Sequence, residues 1–311
     1  MHLMRVPNKY YLINMPAERG YWLKSALQIK GSVIRAIHRR VIGCGIFAVF
    51  ISVLHYYKLP VSQPILGSLI PSIVLGLLLV FRTNTAYERF WEGRKCWGSM
   101  VNNVRNLARQ IWVSVNEAEY EDRKSKIATL YLLVAFAVAT KIHLRGEQVN
   151  AELEELMPET RYAKLTMIDN PPLEVAFWIG DYLQHQYDRN CINSYQLSAM
   201  QELVNQLVDN LGACERILRT PMPLAYAIHL KQLLLLYCLS LPFQMVASLG
   251  WWTGFVSALI SFTLFGIEAI GLEIENPFGY DANDLPLDTI CKTIKRNIDD
   301  LIKLKPKVHA N

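Results

Sequence analysis

Charge is what this chain of 311 residues has little of: 32 basic and 27 acidic side chains make up 19% of it, against roughly 25% in soluble domains. Cysteine is sparse as well. The six, at positions 44, 96, 191, 214, 238 and 291, include no C-x-x-C pair and have no histidine at metal-ligand spacing. They read as small buried apolar residues, not as a disulfide framework or a zinc site. No Walker, dinucleotide-binding, G-x-S-x-G or H-E-x-x-H motif occurs, so the common phosphate-cradle and hydrolase chemistries have no foothold. The first twenty residues hold no apolar core of signal-peptide length. Strand-like alternation, fixed-period repeats and low-complexity tracts are missing too, and a net charge of +5 is too modest to point to nucleic acid. What is abundant is apolar surface: hydrophobic residues reach 52%, which excludes a disordered chain.

The missing charge is missing locally. Val41 to Tyr57, Leu59 to Phe81, Ile127 to Thr140 and Gln232 to Ile267 contain no Asp, Glu, Lys or Arg, over 17, 23, 14 and 36 residues. A helix needs roughly 20 apolar residues to cross a bilayer, so the 36-residue window reads as a membrane hairpin turning at Ser248, Leu249 and Gly250. Trp251 and Trp252 suit the interface, where an amphipathic ring has one wet edge. Arg35, Arg39 and Arg40 precede the first window and only Lys58 separates it from the second, which places the N-terminus and the segment after Phe81 in the cytoplasm. The short third window, followed by about 80 polar residues, reads as a helix buried in protein or dipping partway. The expected fold is all-α: a multi-pass integral membrane protein with transmembrane helices near 38–57, 60–81, 230–248 and 251–270, and cytoplasmic helices in 82–222 and 271–305, forming one domain over 1–311.

The cytoplasmic part is helical by periodicity. Phe90, Trp97, Val104 and Ile111 recur every seven residues, with Glu88, Arg89, Glu92, Lys95, Asn102, Arg105 and Arg109 read as the opposite face. A second stripe runs from Leu197 to Cys214 behind Asn193 or Ser194 as N-cap, and Ile290, Ile294, Ile298 and Leu301 mark a terminal helix. Pro171-Pro172 and Thr220-Pro221-Met222-Pro223 break the helices.

Leu69, Ile73 and Leu77 lie at i, i+4 and i+8 on one helix face. In a symmetric oligomer such a face forms a hydrophobic constriction; in a monomer it packs or faces lipid. Arg82, Arg89, Arg94 and Lys95 follow on the cytoplasmic side, where they line an anion-attracting vestibule, a solvated face or a headgroup layer. Glu268 lies at the membrane edge, where a carboxylate needs a basic partner. His229 sits in an apolar stretch. From Glu275 to Asp284, oxygen-bearing side chains crowd around a turn whose composition permits calcium but lacks EF-hand spacing.

Glu275-Asn276-Pro277-Phe278-Gly279 followed by Asp281 and Asp284, Phe81-Arg82-Thr83-Asn84-Thr85-Ala86-Tyr87, Trp91-Glu92-Gly93-Arg94-Lys95 with Trp97-Gly98, and Cys214-Glu215-Arg216 leading to Thr220-Pro221-Met222-Pro223-Leu224-Ala225-Tyr226 together resemble the bestrophins. Their bacterial, cyanobacterial and plant branch is the most similar, over residues 20 to 305. The resemblance implies a homopentameric ion channel with one axial pore, a neck at Leu69, Ile73 and Leu77, and a cytoplasmic aperture at Met222. It also implies a bacterial inner or thylakoid membrane, surrounding lipid, and chloride or another small anion as the permeant ion. Asn276, Asp281 and Asp284 match part of the family's calcium-binding run, making calcium the one cofactor implied. Some bacterial members pass cations, and a membrane-embedded enzyme using Glu268, His229 and Glu273, or a non-conducting scaffold, are the readings from other classes.

Overall fold

The computed structural model describes residues 27–28, 31–63 and 69–304, leaving the side chain of Leu69 aside. Among them every regular element is helical: α1 (Ile34–Tyr56), α2 (Leu69–Ser114), α3 (Tyr120–Arg145), the short α4 (Ala151–Glu154) and α5 (Glu159–Leu165), α6 (Pro171–Asp188), α7 (Ser194–Arg219), α8 (Leu224–Leu249), a 3₁₀ turn (Gly250–Trp252), α9 (Thr253–Glu275) and α10 (Leu287–Lys303). Local chemistry sets several of these ends. Asn193 accepts from the Gln196 amide while Gln196 returns a bond to the Asn193 amide, starting α7. Asn170 caps α6 ahead of Pro171 at its first turn. Gly146 ends α3 at φ 66°, in the left-handed region that glycine enters without penalty.

Two cores divide the molecule. In the smaller, Ile37 and Cys44 of α1, Leu75 and Leu79 of α2, Leu230, Leu234 and Cys238 of α8, and Phe265 and Ala269 of α9 pack together. Around it the same helices turn large apolar side chains outward, among them Ile46, Phe50, Val80, Leu236 and Phe255. An apolar exterior of this extent fits a lipid environment. Close helix approach comes from small residues: Gly45 meets α9 at Ala258 and Gly254, and a Cβ on Gly254 would fall 2.6 Å from Val49. At the far end Tyr56 contacts Trp251, and Trp252 contacts Phe255, an exposed aromatic cluster at the level of a membrane interface.

The larger core belongs to the body, where the seam Trp97, Val104 and Ile111 of α2 is fully buried against α3, α7 and α10. Here the helix expected near 60–81 is corrected: α2 does not stop at Phe81 but runs on as one 46-residue rod. At 1.5 Å per residue that is about 69 Å, more than twice a hydrocarbon core of about 30 Å, so one helix serves both compartments. The third charge-free window lies in α3, whose apolar stretch is 78% buried inside the chain, against 28% for α1 and 22% for α2. It is the central helix of the body and has no face left for lipid.

Charged groups inside the body are paired. Lys141, 2% exposed, donates to Glu152 (2.6 Å) and Asp288 (2.9 Å), and Arg145 makes a forked contact to Asp288 (3.1 Å). Arg189 donates to Asp122 at 2.6 Å. Burial opposes ionisation of Asp288, but donation from Lys141 and Arg145 outweighs it and lowers the carboxyl to about 2. The Arg189 hydrogen bond, with the Glu119 and Ala118 amides, lowers Asp122 to about 2 against a smaller opposing effect of burial. Both pKa values lie below those of the unfolded chain, near 4. Their stabilisation is therefore complete above that value and is lost as pH falls toward 2. The melting temperature in detergent is expected to drop between pH 4 and 2. The double variant Asp122→Asn/Asp288→Asn, less stable at neutral pH, should show a shallower drop; equal slopes would remove these carboxylates as the cause.

Candidate functional site

The site is the stretch of α2 that leaves the membrane core, together with the ends of α7, α8 and α9 that meet it. At about 100° per residue, Ile73, Leu77, Asn84, Trp91 and Lys95 fall within roughly 40° of one another. All five are exposed, Ile73 at 58% and Leu77 at 53%. Leu69 opens the helix one turn earlier, with its side chain outside the described residues. Lys95 lies over the Trp91 ring at 6.0 Å, and exposed Arg94 stands about 60° round the helix from Ile73. A single face thus passes from aliphatic to cationic.

Arg82 and Arg89 point the other way, roughly 180° and 160° from Ile73. Arg82 is 1% exposed; its guanidinium donates to Glu275 at 3.3 Å and to the Met222 sulfur at 3.8 Å, and its Nε has no partner. The other oxygen of Glu275 accepts from the Met222 backbone N–H at 3.0 Å. Arg89 donates to the Glu275 carbonyl (3.1 Å), the Ile217 carbonyl (2.6 Å) and the Thr220 carbonyl, closing off the last turn of α7. Of the four charges read as a vestibule wall, Arg94 and Lys95 are exposed, with no ion pair among the described residues. Arg82 and Arg89 are clamps holding the 217–222 connection and the end of α9 against α2. Met222 is half-buried in that connection. Tyr226, a turn further on, donates to the Leu78 carbonyl at 2.7 Å.

Glycines let these parts approach. A Cβ on Gly93 would meet the Pro277 and Phe278 side chains at 3.0 and 3.2 Å, and Gly271 faces the Arg82 side chain at 3.4 Å. Two motifs that stand far apart in sequence, Trp91-Glu92-Gly93 and Asn276-Pro277-Phe278, are therefore in contact.

The calcium expectation rests on Asn276, Asp281 and Asp284, and two of these spend a side-chain oxygen on the loop's own backbone. Asn276 Oδ1 accepts from the Phe278 N–H (3.3 Å) and Asp284 Oδ2 from the Asp281 N–H (2.7 Å), while Asp281 is exposed. Arg145 donates to the carbonyls of Phe278 (3.2 Å) and Gly279 (3.3 Å) and stacks on Tyr280 at 4.1 Å. Asp284 Oδ1 alone is buried and unpaired, and burial with the nearby Asp281 and Glu273 charges raises its pKa despite the Asp281 amide. Among the described residues no three His, Cys, Asp or Glu side chains are grouped to hold a metal. Among the described residues the arrangement does not assemble the six to eight oxygens that calcium takes.

Sequence reasoning located the motifs but missed the Arg82–Glu275 pair, the Arg145 stack and the partner of Glu268. That partner is Arg40, 3.7 Å away. Glu273 accepts from Asn283 at 2.6 Å, and His229 is exposed; with Glu268 committed to Arg40, the three groups needed for the enzyme reading do not share a cavity.

The family model for the bacterial and fungal bestrophin protein matches residues 14–300. The chain is 71% identical to a voltage-dependent anion channel-forming protein of Nostoc sp., over 96% of this chain and 97% of that one. It is 60% identical to a protein of the same name from Synechocystis sp., over 92% and 93%. The crystal structure of a bacterial bestrophin homologue from Klebsiella pneumoniae superposes with a TM-score of 0.79 at 30% identity, covering 87% of this chain and all of that one.

Glu275→Gln leaves Arg82 buried without a counter-charge, which costs about 3 kcal/mol or more where one partner of a buried pair is removed. It should lower the melting temperature in detergent and expose the 220–222 connection to protease. Arg82→Met/Glu275→Met, which leaves no orphan charge, is expected to lose less. A double variant as unstable as the single one would show that the pair is not the source.

Proposed function

The chain belongs to the bestrophin family, in its bacterial and fungal group, and from that premise we propose a channel that passes small anions through an axial pore shared by five copies. The carrying observation is the exposed face of α2, aliphatic at Ile73 and Leu77 and cationic at Lys95. A membrane protein has no need to show one continuous stripe of this kind to lipid and then to water, but a ring of such stripes makes a pore wall. Leu69, Ile73 and Leu77 are its neck, a dry constriction that holds ions back until it wets, and Met222 borders the aperture on the body side. An aliphatic neck offers no ligand to either sign, so selectivity comes from the field of the wall, and Arg94 and Lys95 concentrate anions there. Arg82 and Arg89 serve by holding the neck and aperture in register. Chloride, nitrate and bicarbonate all meet these requirements, and a bacterial inner or thylakoid membrane is the proposed location.

In a planar bilayer with a chloride gradient, currents from the purified protein are expected to reverse near the chloride equilibrium potential. Reversal at the cation value would replace the anion reading with a cation channel. Ile73→Ala/Leu77→Ala shortens the neck side chains and should raise the mean current severalfold; an unchanged current would take these residues off the pore.

A further inference from the structure

Between α1, α8 and α9 lies a slot of about 370 Å³. Its polar lining is Arg40, Lys231 and Glu268. Arg40 is six residues into α1, Lys231 seven into α8, and Glu268 seven before the end of α9. At 1.5 Å per residue all three stand about 9–10 Å from the body-side helix ends, at one depth. The remainder of the lining, Gly43, Cys44, Leu234, Leu235, Leu239 and Phe265, lies three to eight residues deeper, about 5–12 Å further into the membrane. Polar at one level and apolar beneath it, the slot has the profile of one phospholipid: headgroup, then chain.

The charges narrow the choice. Two cations and one carboxylate leave one net positive charge, matching a single phosphodiester. Arg40 is half exposed and spends only a 3.7 Å ion pair on Glu268, and Lys231 is exposed with no ion pair among the described residues. Both have donors to give. Glu268 is 1% exposed, and its Oε1 has no hydrogen-bond partner among the described residues, an expensive condition for a carboxylate in a membrane-facing wall. That oxygen needs a donor, which a headgroup hydroxyl supplies and a choline does not.

We propose that this slot binds one anionic phospholipid with a hydroxylated headgroup, such as phosphatidylglycerol. Arg40 and Lys231 hold the phosphate, Glu268 accepts from the headgroup hydroxyl, and an acyl chain runs down Leu234, Leu239 and Phe265. The lipid would bridge α1, α8 and α9, the helices around the core behind the α2 face.

Native mass spectrometry of the full-length, delipidated protein tests it, with phosphatidylglycerol, phosphatidic acid, phosphatidylethanolamine and phosphatidylcholine added in turn. One phosphatidylglycerol retained per chain is expected, preferred over phosphatidylcholine roughly five- to thirtyfold, the range for one to two cationic contacts. Arg40→Gln/Lys231→Gln should bring retention to the phosphatidylcholine level. Gly43 also lines the slot, and a Cβ there meets nothing within 4 Å, so Gly43→Leu fills it without touching a charge; this variant should lose the lipid and keep its lipid-free melting temperature. Phosphatidic acid bound as well as phosphatidylglycerol would remove Glu268 from headgroup recognition. Equal retention of phosphatidylcholine or phosphatidylethanolamine, displacement by free glycerol phosphate at equal concentration, or an Arg40→Gln/Lys231→Gln variant altered in oligomer size but not in lipid retention would each overturn the proposal. The last would assign the slot to a second copy of the chain.

Discussion

The body-side edge of the membrane core is organised by one buried guanidinium. Arg82 is almost wholly enclosed, and an arginine there is tolerated only with a counter-charge and hydrogen bonds in place. Glu275, the last residue of α9, provides them from 193 positions away. Because its second oxygen holds the Met222 amide and its carbonyl holds Arg89, any shift of the 217–222 connection or of α9 disturbs the pairing of a desolvated charge. Three segments far apart in sequence are thereby held to one geometry, and the single rod α2 transmits that geometry from the lipid-facing helices into the body.

Close backbone approach makes the arrangement possible. Gly93 admits the Pro277 and Phe278 side chains, and Gly254 admits Val49. The turn after α9 is then stabilised from the other side by Arg145, which links the Phe278 and Gly279 carbonyls to Asp288. A fixed, permanently charged side chain there bridges carbonyl and carboxylate oxygens, next to the run for which the family resemblance implied calcium. Within that loop, Asn276 and Asp284 each cap a backbone N–H.

Several elements were legible without a structure, and each for a local reason. Asn193 announces a helix start and Pro171-Pro172 a break between helices, because a cap or a proline acts on only the next few residues. The face carrying Ile73 and Leu77 is visible because helical geometry alone brings i and i+4 together. Reading Arg89 with the solvated side of α2 failed for the complementary reason: its guanidinium turns toward carbonyls of α7 and α9 that no local pattern discloses. Likewise α2 contains nothing at Phe81 that stops a helix. The loss of apolar character there marks the change of surroundings from lipid to protein, while the backbone continues.

Hydropathy sums along a chain, so windows of about 20 residues were enough to determine where lipid can be met and where it cannot, and that the fold is helical. Which charge pairs with which, which arginines are exposed and which enclosed, and whether an acidic loop gathers a metal or a guanidinium were decided only by the tertiary structure. These depend on contacts between segments such as 82, 222 and 275. The free energy of a buried charge is set by the few ångströms around it, which a linear sequence does not specify until the helices have packed.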